Sequence, residues 1–270
     1  MHGVGLTSLW VAAWRAVESE RPDALFHDPF ARALAGPEGF AVLASARAAS
    51  PIEAPTIPVR TRYFDARITR GTQVVLLAAG MDSRAFRLSW PPGTRVYEVD
   101  QPEVLGLKEQ RLGGAVPACV RIPVPIDLAH DWPGALRGEG FRPEAPTVWL
   151  LEGLLPYLDE TMVRSLLARL SALSAEGSVL LTDVIGKLLL DAPQLRPMVE
   201  FVQRLGAPWK YGTDDPEGLL EPLGWSVKAD DLGAHAAEVG RWPWPVIPRS
   251  VPGIPRSYLV EATRGTAPSR

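Results

Sequence analysis

The chain of 270 residues has one cysteine, Cys119, so an internal disulfide is excluded and a reducing, cytoplasmic setting is expected. No uncharged apolar run reaches the ~18 residues that a membrane-spanning helix needs. Residues 5–17 are interrupted by Trp14 and Arg15 and do not read as a secretory signal. Neither a membrane span nor a membrane partner is therefore expected. Basic blocks are also lacking, and the formal net charge is only -3, so a nucleic-acid partner gains no support. The four histidines (His2, His27, His130, His235) lie far apart, without the paired spacing of metal ligands, and no metal is expected. Glycine is sparse where it would matter most. After Gly80 the chain runs MDSRAF, so there is no GxGxxG fingerprint for a pyrophosphate, and no Walker-type GK[ST] occurs.

Hydrophobic residues make up 46% and charged residues 22%, ordinary values for a globular protein. Up to residue 49 apolar positions recur at helical spacing (Leu9, Ala12, Ala13, Ala16, Val17, then Phe30, Ala33, Leu34), divided into short helices by Pro22, Pro29 and Pro37. A proline-rich loop, SPIEAPTIPV, precedes a helix over 60–69. From residue 73 strands and helices alternate. Strands are expected at 73–79, 95–100, 120–127, 147–151 and 178–183, with helices at 102–112 and 161–175. Pro123 and Pro125 demote the third strand to an edge. Cys119 precedes it and reads as a buried thiol. This alternation indicates an α/β protein with a doubly wound, parallel sheet. Residues 186–212 look helical but break the alternation, as an insertion or lid over the sheet's carboxyl edge would. A short helix over 214–223, a strand over 225–228, a proline-rich loop over 241–255 and a closing strand over 257–262 complete the chain. The expected layout is a helical cap (1–70), a cofactor-binding core (71–185), an insertion (186–224) and closing strands (225–270).

Ligands of open α/β sheets sit outside the carboxyl ends of the strands. The first strand ends in Ala78-Ala79-Gly80-Met81-Asp82, where Gly80 lets backbone approach a ligand and Asp82 can accept a hydrogen bond. Alone, a glycine there is more often a turn. Asp100 ends the second strand about twenty residues later, where two carboxylate oxygens match the vicinal hydroxyls of a ribose. The bland reading is that Asp100-Gln101-Pro102 only caps the next helix. Asp127 and Leu128 end the third strand and could serve an adenine, by accepting from its amine and packing on its ring. Glu152 leaves the fourth strand just before Gly153, and its bland reading is a strand-end cap. A row of acids along one edge suits a cationic ligand. An adenosine compound without a phosphate bridge fits the missing glycines, and S-adenosylmethionine (SAM) is the commonest of these. Its carboxylate needs a cation, for which Arg60 and Arg62 lie just upstream, unless Arg62 only pairs with Asp65 on a helix surface.

The motifs RTRYFD (60–65), VVLLAAGMDSRAFRL (74–88), VYEVDQPEVLGLK (96–108), IDLAHDWPGAL (126–136) and LLEGLLPYL (150–158) resemble those of the leucine carboxyl methyltransferase family, in its bacterial branch. ESERPDALFHDPFA (18–31) and YGTDDPEGLLEPLGW (211–225) extend the likeness over nearly the whole chain. The resemblance implies a Rossmann-like class I SAM-dependent methyltransferase fold, with a mostly parallel seven-stranded sheet and helices on both faces. It also implies SAM as cofactor and a small molecule as methyl acceptor. Arg62 would pair with the SAM carboxylate and Arg60 is the second candidate. Gly80 would line the methionine part, Asp100 would hold the ribose, Asp127 with Leu128 the adenine, and Glu152 the amino group. The family usually has Gly-Ala-Gly at the first turn, where this chain has Ala78. No motif nominates a catalytic base, although His235 and Tyr157 are possible. A carboxylate acceptor would need none, whereas a hydroxyl would. The competing classes are a NAD(P)-dependent oxidoreductase on a similar sheet, opposed by the missing GxGxxG, and a non-catalytic SAM-binding protein.

Overall fold

The fold is that of a computed structural model, which describes residues 3–50 and 54–265. His2 and the centre of the proline-rich loop (51–53) fall outside the described residues. In chain order the elements are α1 (Val4–Ser19), α2 (Ala31–Ala49), α3 (Thr56–Ile68), β1 (Gln73–Leu77), α4 (Arg84–Arg87), β2 (Arg95–Asp100), α5 (Pro102–Leu112), β3 (Val120–Pro125), α6 (Trp132–Gly138), β4 (Val148–Leu151) and α7 (Glu160–Ala172). They continue with β5 (Val179–Ile185), α8 (Lys187–Leu190), α9 (Arg196–Arg204), α10 (Pro216–Leu220), β6 (Trp225–Asp231), α11 (Leu232–Glu238) and β7 (Ser257–Arg264).

Seven strands form one sheet in the order β3-β2-β1-β4-β5-β7-β6. Strands β1 to β5 pair in parallel, and β7 runs antiparallel between β5 and β6. The chain reverses direction in the sheet at β1, where β2 leaves on one side and β4 on the other. This switch point opens the crevice where such sheets take ligands. The edge position of β3 is what its two prolines require, since neither can donate to a ladder.

Side chains of β1 alternate between two cores, as the two-residue period of a strand demands. Val75 and Leu77 join Trp132, Trp149 and Leu167 on one face, while Val74 and Leu76 join Val59, Phe64 and Leu232 on the other. Both faces are buried, so β1 reads as an unbroken apolar run. A third cluster holds α1, α2 and α9 together through Leu9, Leu34, Phe201 and Val202. Within it, the Trp10 and Phe201 rings meet edge to face, 6.0 Å apart.

Of the three prolines expected to divide the N-terminal segment, Pro22 and Pro29 lie in the link between α1 and α2. Pro37 kinks α2 instead, where Gly36 takes φ 56° and ψ 178°. The helical cap is locked to the sheet by Asp28, whose side chain has no exposure. Its Oδ2 accepts from Arg15 Nε at 2.9 Å and from Ser83 Oγ at 2.6 Å. Burial pushes the Asp28 carboxyl up, but the Arg15 and Arg87 guanidiniums outweigh that and hold it below its usual value. Among the described residues, no helix is long and apolar enough to cross a membrane.

Candidate active site

A cavity of about 730 Å³ opens at the carboxyl ends of β1, β2, β4 and β5. Its first wall is the turn after β1. Ala79 N–H donates to Val99 O at 3.1 Å, and Gly80 N–H donates to Asp100 Oδ2 at 2.6 Å. Gly80 has φ 49°, and a Cβ there would sit 3.0 Å from Ser8 Cβ of α1. Glycine is thus favoured twice, by its positive φ and by the close approach of the N-terminal helix. Ala78 has φ 57°, the one non-glycine residue with positive φ among the described residues.

Asp100 also accepts from Gln101 N–H at 2.7 Å through Oδ1. Two of the roughly four lone-pair positions of a carboxylate are thus used, leaving acceptor capacity toward the cavity. Burial pushes the Asp100 carboxyl above its usual value, and the two backbone N–H groups only partly offset this. Gln101 Nε2 donates to Asp127 Oδ2 at 2.7 Å, which ties together the ends of two strands. Asp100, Gln101, Asp127 and Leu128 all line the cavity, with Ile126 beside them.

The opposite end is a buried charge network. Glu152 Oε1 accepts from Arg60 Nε at 3.0 Å, and its Oε2 lies 2.7 Å from Arg84 Nη1. Arg60 Nη1 donates to Asp183 Oδ2 at 3.0 Å, and Asp183 Oδ1 accepts from Gly153 N–H at 2.6 Å. Arg84 Nη1 bonds Asp82 as well. Burial pushes the Asp82 carboxyl up, but Arg84, Lys108 and Arg15 outweigh it and bring it down to about 2. Glu152 is likewise lowered, because Arg84 and Arg60 together exceed its burial penalty. Gly153 has φ 63°, and a Cβ there would stand 2.9 Å from Arg60 Nη2. The missing side chain is what lets the guanidinium lie along the strand end.

Ten of the eleven sequence candidates line this cavity: Arg60, Ala78, Gly80, Asp82, Asp100, Gln101, Asp127, Leu128, Glu152 and Gly153. Arg62 does not. It is exposed on the outer side of α3 and donates to Leu25 O at 3.2 Å, so the expectation that it meets the cofactor is corrected. Helix geometry decides this, since two residues turn the chain by about 200° and place Arg62 opposite Arg60. Nor does Arg62 pair with Asp65, whose carboxylate is held by Arg84 and Arg87. Tyr157 lines the cavity. His235 lies away from it, against the Tyr63 ring and Glu238. Asp183 was not among the candidates although it ends the strand expected at 178–183, and that place was the available signal; the strand itself runs on to Ile185. Cys119 is half-buried beside Ala85 O, and burial pushes its thiol up to about 11.

Beyond the acid row the cavity becomes apolar, lined by Trp10, Trp14, Met198, Trp209 and Trp242. The donor set suits an adenosine sulfonium compound. It offers a carboxylate with free lone pairs for vicinal hydroxyls, an acid and an aliphatic side chain for adenine, and both charges at the amino-acid end. A match to the family model for leucine carboxyl methyltransferase covers residues 8–171. The chain belongs to the leucine carboxyl methyltransferase family. It is 41% identical over 282 residues to the "Putative S-adenosyl-L-methionine-dependent methyltransferase" of Frankia alni, covering 97% of this chain and 95% of that one. A relative in Mycobacterium avium with the same description is 40% identical, with 97% and 89% covered. Among solved structures, a methyltransferase-like protein of Thermobifida fusca superimposes with a TM-score of 0.61 at 18% identity, over 87% of this chain and 92% of that one. Human N-acetylserotonin methyltransferase in complex with SAM gives 0.52 at 17% identity, over 78% and 52%. At such identities these two share the fold. As a member of its family the chain is a SAM-dependent methyltransferase, and the dehydrogenase reading falls.

Proposed function

We propose that the protein is an O-methyltransferase acting on a carboxylate or hydroxyl oxygen of a small molecule. The observation that carries this reading is a single cavity joining the row of strand-end acids to a chamber of tryptophan and methionine side chains. In the proposal Asp100 takes the ribose, Gln101, Asp127 and Leu128 the adenine, and Gly80 the methionine chain. Arg60 faces the cofactor carboxylate and Glu152 with Asp183 the amino group, with Ala78, Asp82 and Gly153 shaping the wall. Held by these residues, a bound SAM would supply a methyl group activated by its sulfonium and would carry away the thioether as leaving group. This chain's part is to hold both molecules in line and keep water out, and oriented proximity supplies ~7–11 kcal/mol of barrier reduction. A carboxylate acceptor arrives ionised and needs no base, while a hydroxyl must lose its proton to a side chain such as Tyr157, which lines the cavity. Residues 186–224 act as the lid of this chamber, through Leu189, Leu195, Met198 and Trp209.

The test is incubation with methyl-labelled SAM and pooled small-molecule acids and alcohols, with products read by mass spectrometry. Label entering a product as an added CH2 supports the reading. Label released as methanol by mild alkali marks an ester and a carboxylate acceptor, whereas alkali-stable label that fragmentation places on oxygen marks an ether. Transfer to nitrogen or carbon only would overturn it.

A further inference from the structure

From the rim of the same cavity we infer that the acceptor has an extended, uncharged hydrocarbon body that leaves the chamber along the 242–247 segment. The inference rests on the methyl-transfer reading of the site and names the substrate class that the site selects. Three large apolar side chains of one stretch line the cavity and are also strongly exposed: Trp244 at 42%, Val246 at 47% and Ile247 at 39%. Exposed apolar groups scattered singly are ordinary, but a group of them around one cavity mouth marks a surface meant to be covered.

The rim is not a loose tail. Three arginines pin the segment between α11 and β7 at its start, middle and end. Arg241 bonds Glu18 at 2.7 Å, Arg249 makes two bonds of 2.6 Å to Glu217, and Arg256 donates to Ile247 O at 2.8 Å and Pro248 O at 2.7 Å. Arg256 is itself buried and tied to Asp231. The Trp242 and Trp244 rings meet edge to face at 4.7 Å, and Trp242 packs against Gly233, where a Cβ would come within 2.8 Å of its ring. The backbone of the segment and its two tryptophans are thus held in place by paired charges and ring packing.

The wall across the cavity is aliphatic and deformable, through Leu189, Leu195 and Met198. Methionine adapts to irregular apolar shapes, so this wall suits a flexible chain or a fused-ring body. The rim stretch from Trp244 to Ile247 carries no charged side chain. A charged or strongly hydrogen-bonding body would lose its water there without replacement. At the inner end lie the carboxylates Glu152 and Asp183, both engaged with Arg60, whereas the Arg256–Asp231 pair behind the rim is turned to the backbone oxygens of Ile247 and Pro248. Polarity therefore falls from the reaction end outward, and the acceptor's polarity is expected to fall the same way, with its oxygen at the inner end.

Binding of homologous 1-alkanols and sodium alkanoates, six to twelve carbons long, tests this on the full chain saturated with S-adenosylhomocysteine (SAH). Calorimetry in the same buffer first measures SAH alone, so a failure of the cofactor reading shows up separately. Each added CH2 is expected to tighten binding about fourfold, the equivalent of ~0.8 kcal/mol per buried methylene. In a Val246→Ser/Ile247→Ser double variant the longer members should lose that increment. Affinity for the six-carbon members and for SAH should stay within twofold of wild type. Both substituted residues are exposed, so the fold is not at stake. A chain-length dependence that is flat in wild type, or equally steep in the double variant, would overturn the inference. Co-sedimentation with phosphatidylcholine vesicles that the double variant abolishes, together with a flat series, would overturn it in favour of a lipid surface as the rim's partner.

Discussion

Ala78 holds φ 57° with a methyl group attached, at the turn where the family usually has glycine. The left-handed region costs an L-residue roughly 1–2 kcal/mol, because Cβ crowds the following carbonyl. Glycine would remove that strain but bring more unfolded-state entropy, about 0.5–1 kcal/mol. The difference leaves Ala78→Gly stabilising by about 0.5–1 kcal/mol. A urea titration should show a higher midpoint with an unchanged slope, and a lower midpoint would mean that the methyl group packs better than the backbone suffers. Asp100 is the other residue whose state matters singly. It is the one cavity carboxylate among Asp82, Asp100 and Glu152 that burial leaves above its usual value, since the other two have guanidinium partners. Among the described residues Asp100 has only backbone N–H groups as hydrogen-bonding partners, which suits the proposed acceptance from a neutral ribose.

Among the elements, the docking of the N-terminal helices on the sheet depends on a side chain far from the chemistry. Asp28 joins α1 through Arg15 to the turn after β1 through Ser83, without exposure. Breaking a buried ion pair from one side costs about 3–5 kcal/mol, because the partner charge stays behind. Asp28→Ala is therefore expected to lose about 3 kcal/mol in chemical denaturation, and Asp28→Asn part of that. A loss under 1 kcal/mol would show that the cap does not need the pair. The elements themselves were legible to different degrees. Strands β1 and β4 announce themselves as apolar runs because both faces are buried, while β2 carries a buried Glu98 paired with Lys108 and Arg121; α5 is bounded by its own signals, Pro102 at the start and Gly113 with φ 58° at the end. After Gly80 the chain makes only the single helical turn of α4, because Pro91 and Pro92 follow closely and Trp90 Nε1 bonds back to Arg84 O. Helix α11 was hidden because Asp231 both ends β6 and caps α11, accepting from Ala234 N–H, so no loop separates the two. The choice between Arg60 and Arg62 was open to the helix period. Val59, Tyr63 and Phe64 mark the buried face of α3, and Arg60 lies three and four residues before the last two. Asp183 was legible as the acid ending the expected strand 178–183, but its pairing with Arg60 was not, since the two are 123 residues apart.

For the whole molecule, the unequal carboxyls predict that cofactor affinity fails before the fold as pH falls. A carboxyl lowered by folding contributes stability that is present above its unfolded value and is lost as pH drops through the folded one. Asp82, at about 2 against an ordinary 3.8, and Glu152 belong to this kind, so their pairs hold until the pH falls below roughly 4. Asp100 has the opposite sign. It takes up its proton above 3.8, and that uptake relieves a burial penalty while removing an acceptor for the ribose. Between pH 7 and pH 4, SAM binding should weaken while near-ultraviolet circular dichroism stays native. Simultaneous loss of both would contradict this assignment of the charges.

The central claim is that the cofactor lies along the carboxyl edge, with Asp100 on the ribose and Arg60, not Arg62, at the amino-acid end. Calorimetric titration of SAM into wild type, Asp100→Ala and Arg62→Ala tests it most directly. Hydrogen bonds to a charged group are worth about 1.5–3 kcal/mol, or roughly ten- to a hundredfold in affinity. Wild type is expected to bind, Asp100→Ala to bind at least tenfold more weakly, and Arg62→Ala to match wild type within twofold. A folded wild type that takes up no SAM, or an Arg62→Ala loss equal to that of Asp100→Ala, would contradict the account.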